Sequence, residues 1–514
     1  MSSAAEYDRF PYHSNPFPQS HPQRLAALGR LFGVDAPEVK TARVLELGCA
    51  SGGNLLPLAY YMPNASFVGI DFSGRQLEQG REIAKRAGLD NVELIHGDIA
   101  ELDESHTDFD YIICHGVYSW VPDSVQHAIM RICRDRLTTN GIAYISYNVY
   151  PGWHMRSMIR DMMLYHTASL DDPVMKVGRA RALLDFMASN AGDSGAYPTL
   201  LNAELEGLRK AGDYYLRHEH LSEDNSSVYF HEFAARADSY ALQYLAEADL
   251  SSMISSNLST EVATTLAKIA PDIIRMEQYM DFLRNRTFRQ TLLTHRGVTL
   301  NRHLTGESLR TLHLTGQLQP PEQAADGSGL FKNVRGAAAG TRNQIMVDWL
   351  EKIRATAPQS VPVAELLDAV GSDNPVVGTG DDLVTASGAE LAQLVCTGFL
   401  ELRGEPVPRP AAVSERPQAT SLAREQLKHT DVIADHTHQP VRVNFLSKNL
   451  IFVLDGTRTV DDLIDHLTQR TLDGELNMQR DGNPVTNEDE IRRIMAETVP
   501  TQLVDFANRG LLVA

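Results

Sequence analysis

Val44-Leu45-Glu46-Leu47 leads directly into Gly48-Cys49-Ala50-Ser51-Gly52-Gly53-Asn54. An apolar, strand-like run gives way to a glycine turn, and a helical pattern follows. Such a turn leaves backbone N–H groups free and lets another chain approach closely at the C-terminal edge of the strand. That edge is where open α/β sheets bind ligands. The spacing is Gly-x-Ala-x-Gly, without the full Gly-x-Gly-x-x-Gly of dinucleotide sites. Glu46, two residues before the first glycine, would repel a pyrophosphate and attract a cation. S-adenosyl-L-methionine, with its sulfonium and ammonium, has the matching sign.

Outward from this turn, strands and helices alternate through residues 42–148: ARVLEL, SFVGID, the helix GRQLEQGREIAKRAG, VELIHGD, FDYIICHG, the helix VQHAIMRICRDRLT and GIAYISYN. Short apolar strands alternating with helices predict an α/β, mainly parallel, doubly wound sheet. Asp71 ends the second strand, where a carboxylate can accept both ribose hydroxyls. Asp71 or Ser73 can also cap the next helix, and the two roles are compatible. Gly97-Asp98-Ile99 follows the third strand, and Asp98 could accept an adenine amino group.

The chain is long enough, at 514 residues, for three or four domains. Lys+Arg 47 against Asp+Glu 66 gives a net charge of −19, which disfavours nucleic acid and would suit a basic partner. Cys49, Cys114, Cys133 and Cys396 show no disulfide or CxxC spacing, as expected of a reducing, cytoplasmic setting. No signal-peptide core or long apolar run predicts membrane insertion. Residues 1–40 form an aromatic, proline-bearing cap segment (Phe10, Tyr12, Phe17) followed by a helix from about His21 to Phe32. Residues 41–152 are the cofactor-binding domain, and 153–315 read as mostly helical from the apolar spacing in MRSMIRDMMLYHT, HEFAARADSYALQYLAEA and MEQYMDFLRNRTF. Polar stretches at 316–341 and 404–420 read as linkers. PVAELLDAV (362–370) resembles TVDDLIDHL (459–467), and LAQLVCTGFLEL (391–402) resembles LVDFANRGLLV (503–513). The repeat predicts two winged-helix-like units, 316–404 and 420–514. Neither recognition-helix candidate is basic, so protein interaction is favoured over DNA.

The Glu-x-Gly-x-x-x-Gly turn, the second-strand Asp71 and the Gly97-Asp98 pair resemble the class I S-adenosylmethionine-dependent methyltransferases over 42–148. PYHSNPFPQSHP, ICHGVYSWVP, YNVYPGWHMRSMIRDMMLYH, YLRHEHL, VYFHEFAARA and FLRNRTFRQTLL extend the resemblance over about 10–295. They are similar to bacterial methyltransferases with an attached regulatory domain, including the lysine methyltransferases of rickettsial outer-membrane proteins. Ala50 departs from the glycine common there. The resemblance implies a Rossmann-like domain and S-adenosyl-L-methionine held by Tyr12, Glu46, Gly48, Ala50, Gly52, Asn54, Asp71, Phe72, Gly97, Asp98, Ile99 and His115.

The acceptor end is expected after strands four and five, with His115, Tyr118, Trp120 and Tyr147 as candidate catalytic residues and Asn148, Tyr150 and Trp153 nearby. Methyl transfer needs alignment and exclusion of water. A lysine amine must also lose a proton, and an aromatic pocket would help by desolvating it. The same aromatics suit domain packing. His218, Glu219, His220, His231 and Glu232 fit no zinc signature, so no metal is expected. The leading expectation is methylation of an accessible lysine on a protein substrate, with a homodimer compatible. Methylation of a small molecule or peptide, and cofactor binding without turnover in a regulator, are the alternatives.

Overall fold

The computed structural model describes residues 14–192, 194–210, 212–213, 216–222, 224–254, 258–323, 328–373, 380–409, 412–480 and 483–513. It divides into two compact units: residues 1–113, 136–142 and 298–514 in one, 114–135 and 143–297 in the other.

In the first unit, α1 (Pro22–Leu31) starts where the His21 ring accepts from the Gln23 N–H and stops before Gly33, whose φ is +86°. Then come β1 (Arg43–Leu47), α2 (Leu55–Tyr61), β2 (Ser66–Asp71), α3 (Gly74–Ala87), β3 (Val92–His96) and β4 (Phe109–Cys114). β2 lies between β1 and β3, and β1 between β2 and β4, all parallel. The strands are buried apolar runs because helices cover them. Their register pairs Leu47 with Ile70 and Asp71 with His96, which brings Gly48, Asp71 and Gly97 to one edge. α3 is capped by Ser73 at its start and by left-handed Gly88 at its end. This is the expected Rossmann-like pattern.

The second unit holds α4 (Asp123–Arg136) and the far half of β5 (Leu137–Asn148). α5 (Trp153–Thr167), α6 (Pro173–Asn190) and α7 (Ala196–Lys210) follow, packed on Ile159, Met163, Ala180, Leu184, Leu201 and Leu205. Next are α8 (Phe230–Ser239), β6 (Leu242–Glu247), α9 (Thr260–Ile269), α10 (Ile273–Arg284) and β7 (Phe288–His295). β7 runs antiparallel to both β5 and β6. The region read as helical thus also supplies two strands. Ala241 (φ +57°) ends the helical run before β6, and Asn285 (φ +47°) ends α10 before β7.

The first unit resumes with β8 (His313–Thr315), β9 (Glu322–Gln323), β10 (Gly329–Lys332) and β11 (Ala338–Thr341). The stretch 316–341 is therefore an antiparallel sheet and not a linker. β10 and β11 fold back around Gly336 (φ +85°), with Phe331 and Thr341 buried and Lys332 paired with Glu322. α11 (Gln344–Thr356), β12 (Val361–Pro362), α12 (Val363–Asp373), α13 (Gly380–Cys396) and β13 (Glu401–Arg403) complete the first winged-helix-like unit, with β8 between β12 and β13. α14 (Ser421–Gln426), β14 (Val432–Ala434), β15 (Pro440–Arg442), α15 (Phe445–Val453), α16 (Val460–Leu472) and α17 (Glu488–Asn508) build the second. The repeat is visible in the pairs α12/α16 and α13/α17, each longer helix closing on a left-handed glycine, Gly398 or Gly510. The second of these units packs on the parallel-sheet region. Leu422 joins Leu56, Ile83, Ala84 and Ala87, Ser421 donates to the Ala87 carbonyl at 2.8 Å, and Tyr61 to that of Gly510 at 3.1 Å. All four cysteines are buried and none forms a disulfide. Among the described residues no helix is long and apolar enough to cross a membrane.

Candidate active site

The glycine turn after β1 is left-handed at Gly48 (φ +77°), Ala50 (φ +50°) and Gly52 (φ +77°). Ala50 therefore occupies a conformation that glycine takes freely and alanine resists. It is held by a hydrogen bond from its N–H to Asp71 Oδ2 at 2.7 Å, while Asp71 Oδ1 accepts from Ser73 N at 2.9 Å. Asp71 thus ties the turn to the start of α3. Each oxygen keeps a lone pair for hydroxyls of a ligand. Burial raises its pKa, opposed by the bonds to Ser73 and Ala50. Beside it Phe72 is 41 % exposed, with its carbonyl against His96 Nε2. Gly97 N donates to the Asp71 carbonyl, Asp98 caps a short turn at Ala100, and Ile99 is buried.

The chain upstream presses onto this turn. Ser14 Oγ accepts from Gly53 N at 2.7 Å, and a Cβ at Gly53 would lie 2.2 Å from the Ser14 carbonyl oxygen. Only glycine fits there. Asn54 is the hub: its Oδ1 accepts from Phe17 N at 2.8 Å, and its Nδ2 donates to Glu46 Oε1 at 2.8 Å and to Ser20 Oγ at 3.1 Å. Glu46 is buried, and its second oxygen, Oε2, has no hydrogen-bond partner among the described residues. Burial pushes its pKa up to about 8, with Asn54 opposing. A buried carboxylate oxygen without a donor is costly, and an ammonium ligand would supply one. Tyr12, expected beside this turn, lies outside the described residues.

The candidates for the acceptor end are in the second unit. Tyr147 stacks on Phe233 at 3.9 Å, and its hydroxyl bonds Thr291 at 2.9 Å. Tyr118 lies edge-on to Phe233 at 5.4 Å and accepts from Arg236 at 3.0 Å. Both are wholly buried, and burial drives both phenols upward in pKa, Tyr118 to about 12. Each hydroxyl has a polar partner and each ring an aromatic one. His115 bonds the Tyr144 hydroxyl at 2.8 Å and is pushed down to about 3 by burial, hence neutral. Trp120 lies edge-on to Trp153 at 6.2 Å, apart from the tyrosine cluster.

Tyr150, expected near the acceptor end, belongs to a set whose other members, His154, Tyr229 and Phe282, were not singled out in the sequence. Tyr150 stacks on His154 at 4.0 Å, and Tyr229 stands 5.3 Å from Tyr150. None of these three is buried, and Phe282 beside Tyr229 is 47 % exposed. The motifs YNVYPGWHM and VYFHEF contained three of them. Of the residues weighed for metal, His231 bonds Gln278, Glu232 caps its own helix at Tyr229 and His220 stacks on Trp153. The His218 side chain lies outside the described residues.

Residues 38–183 match a family model described as a methyltransferase domain, and 212–295 one described as a predicted methyltransferase regulatory domain. Residues 415–511 match the PKMT C-terminal winged helix domain. PKMT2 from Rickettsia typhi, solved alone and in complex with AdoHcy, is 30% identical, with 98% of this chain and 100% of that one covered and a TM-score of 0.84. The uncharacterized protein RP789 of Rickettsia prowazekii is 35% identical over 99% of this chain and 93% of its own length. This chain belongs to the PKMT family of methyltransferases. Its cofactor is S-adenosyl-L-methionine, and the residues of this PKMT-family turn fit it: a cationic amino group answers the orphaned Glu46 Oε2, and ribose hydroxyls answer Asp71.

Proposed function

We propose that this methyltransferase modifies lysine side chains on a protein. The observation that carries the reading is the full-length likeness to a solved PKMT, accessory units included. These units far exceed what a small acceptor needs. The charge of −19 favours a basic segment as partner. Tyr150, His154 and Tyr229 offer ring faces that attract an ammonium.

In this reading Glu46, oriented by Asn54, holds the cofactor's amino-acid end, Asp71 its ribose, and Phe72, Gly97, Asp98 and Ile99 its base. When bound, S-adenosyl-L-methionine supplies a methyl group on a sulfonium. The chain's own residues orient and desolvate. Tyr118, Tyr147 and Phe233 form a rigid apolar backing, and Trp120 with Trp153 adds further apolar surface. Desolvation lowers the pKa of a lysine amine from its usual 10.4 or so, which promotes loss of its proton.

The decisive test incubates the full chain and labelled cofactor with a lysine-rich unfolded protein and with the same protein fully acetylated on lysine. Label should enter only the former, located by mass spectrometry. Equal labelling of both overturns the lysine reading. Asp71→Ala should weaken cofactor binding by at least about tenfold in calorimetry, since a charge-assisted bond contributes roughly 1.5–3 kcal/mol.

A further inference from the structure

The hub residue Asn54 has one more partner, and it comes from the far end of the chain. The turn joining β14 to β15 carries His438, whose Nε2 lies 2.7 Å from Asn54 Oδ1. Because Asn54 Nδ2 donates to a carboxylate and Oδ1 accepts from a backbone N–H, the orientation of the amide is fixed. His438 must therefore donate through a protonated Nε2. Burial pushes its pKa down to about 3, which leaves it neutral.

His438 is held for this contact. It is 1 % exposed and sits at φ +66°, a left-handed conformation that a histidine adopts only when its surroundings impose it. Those surroundings are the turn itself: Asp435 Oδ1 accepts from Thr437 N at 2.8 Å and Gln439 N at 2.9 Å, and His438 N donates to the Asp435 carbonyl at 2.8 Å. The His21 ring, at the start of α1, packs edge-on against His438 at 5.4 Å. Three parts of the chain thus converge on this one amide of the glycine turn: the N-terminal segment at Phe17 and Ser20, β1 at Glu46, and the winged-helix hairpin at His438. All four hydrogen-bonding capacities of the amide are used.

We infer that His438 is a positioning residue for cofactor binding: the C-terminal winged-helix unit, through His438 and Asn54, aims the Glu46 carboxylate at the cofactor's ammonium. The inference rests on the reading of Glu46 given above. Without the His438 donor, Asn54 keeps three of its four bonds, one lone pair of Oδ1 is left bare in a buried site, and the amide that sets the direction of Glu46 is held less firmly.

The test is calorimetry of S-adenosyl-L-methionine binding to the full chain, with melting curves and steady-state kinetics. H438F, which keeps bulk but removes the donor, should weaken binding by about fivefold and raise the KM for the cofactor while kcat stays within about twofold. H438Q, whose amide can reach Asn54, should bind within about twofold of wild type. In an E46Q background, itself at least about tenfold weaker, H438F should add nothing. If H438F melts far below wild type, H438N replaces it: asparagine suits the left-handed conformation but stops short of Asn54, so the same loss is expected. Wild-type binding by H438F while E46Q binds weakly overturns the role of His438 alone. Wild-type binding by E46Q overturns the Glu46 reading and the proposal with it. Equal weakening by H438F and H438Q reduces His438 to packing.

Discussion

The glycine turn of the first unit and the aromatic cluster of the second are both buried and polar, yet they are finished to different degrees. Around Phe233 each hydroxyl has its partner: Tyr147 has Thr291, and Tyr118 has Arg236. In the same unit Arg289 is bonded by Glu247, Glu277 and Asp281, all buried; Glu277 also has a bare oxygen, Oε1, but its Oε2 holds a cation at 2.9 Å. At the glycine turn, by contrast, Glu46 keeps one bare oxygen and Ala50 holds an unfavourable backbone angle. A network whose charges are saturated stabilises a fold; one left unsaturated and strained waits for a ligand. Residue type alone would have ranked the two tyrosines as the more chemical pair.

The largest expected effect lies on the saturated side. Arg289→Met removes the main cation of three buried carboxylates, leaving only Arg286 at 3.4 Å from Asp281 and 3.9 Å from Glu277, and should destabilise by about 3–5 kcal/mol in denaturant unfolding. A smaller loss would mean that water reaches this network.

The unsaturated side should reveal itself through protons. Glu46 holds its proton up to about 8 in the ligand-free fold, whereas an unfolded glutamate releases it near 4.5. Between those values the folded state binds more protons, so stability falls as pH rises. An ammonium ligand favours the ionised form. Cofactor affinity should therefore rise from pH 6 to 8, with proton release detectable by calorimetry in buffers of different ionisation enthalpy. A flat profile would erase the contrast between the two regions.

Tyr147→Phe removes one bond to Thr291 and should lower stability by about 0.5–1.5 kcal/mol, with kcat within about twofold. A hundredfold fall in kcat would return Tyr147 to the chemistry. The smallest effect is expected at Ala50→Gly, which relieves the left-handed alanine and should stabilise by at most about 1 kcal/mol, read as a rise in the unfolding midpoint.

The contrast also marks what the sequence could carry. Glu46, Gly48, Gly52 and Asp71 lie within one βαβ span, where local pattern dictates geometry, and they were legible. β6 and β7 were not, because LQYLAE and FRQTLLTH each follow a helix whose apolar spacing runs on past its true stop. Only the left-handed Ala241 and Asn285 mark those ends. The hairpin at 329–341 looked like a linker because its strands are four residues each and rich in Gly and Ala, with only Phe331 as a large buried apolar side chain. The partners of the tyrosines, Thr291 and Arg236, are distant in sequence and were not legible either. His438 is 384 positions from Asn54, and nothing near it announces the contact.

The seam where Ser421 and Leu422 meet α3 has a consequence for how this architecture can be inherited and dissected. A fragment ending ahead of α14 would uncover Leu56, Ile83, Ala84 and Ala87, an apolar patch that invites self-association. The same cut would strip the Tyr61 hydroxyl of its carbonyl. The catalytic fold is therefore no portable cassette, and a hybrid of two relatives joined upstream of the terminal unit should keep its solubility only when both faces of this seam come from one parent.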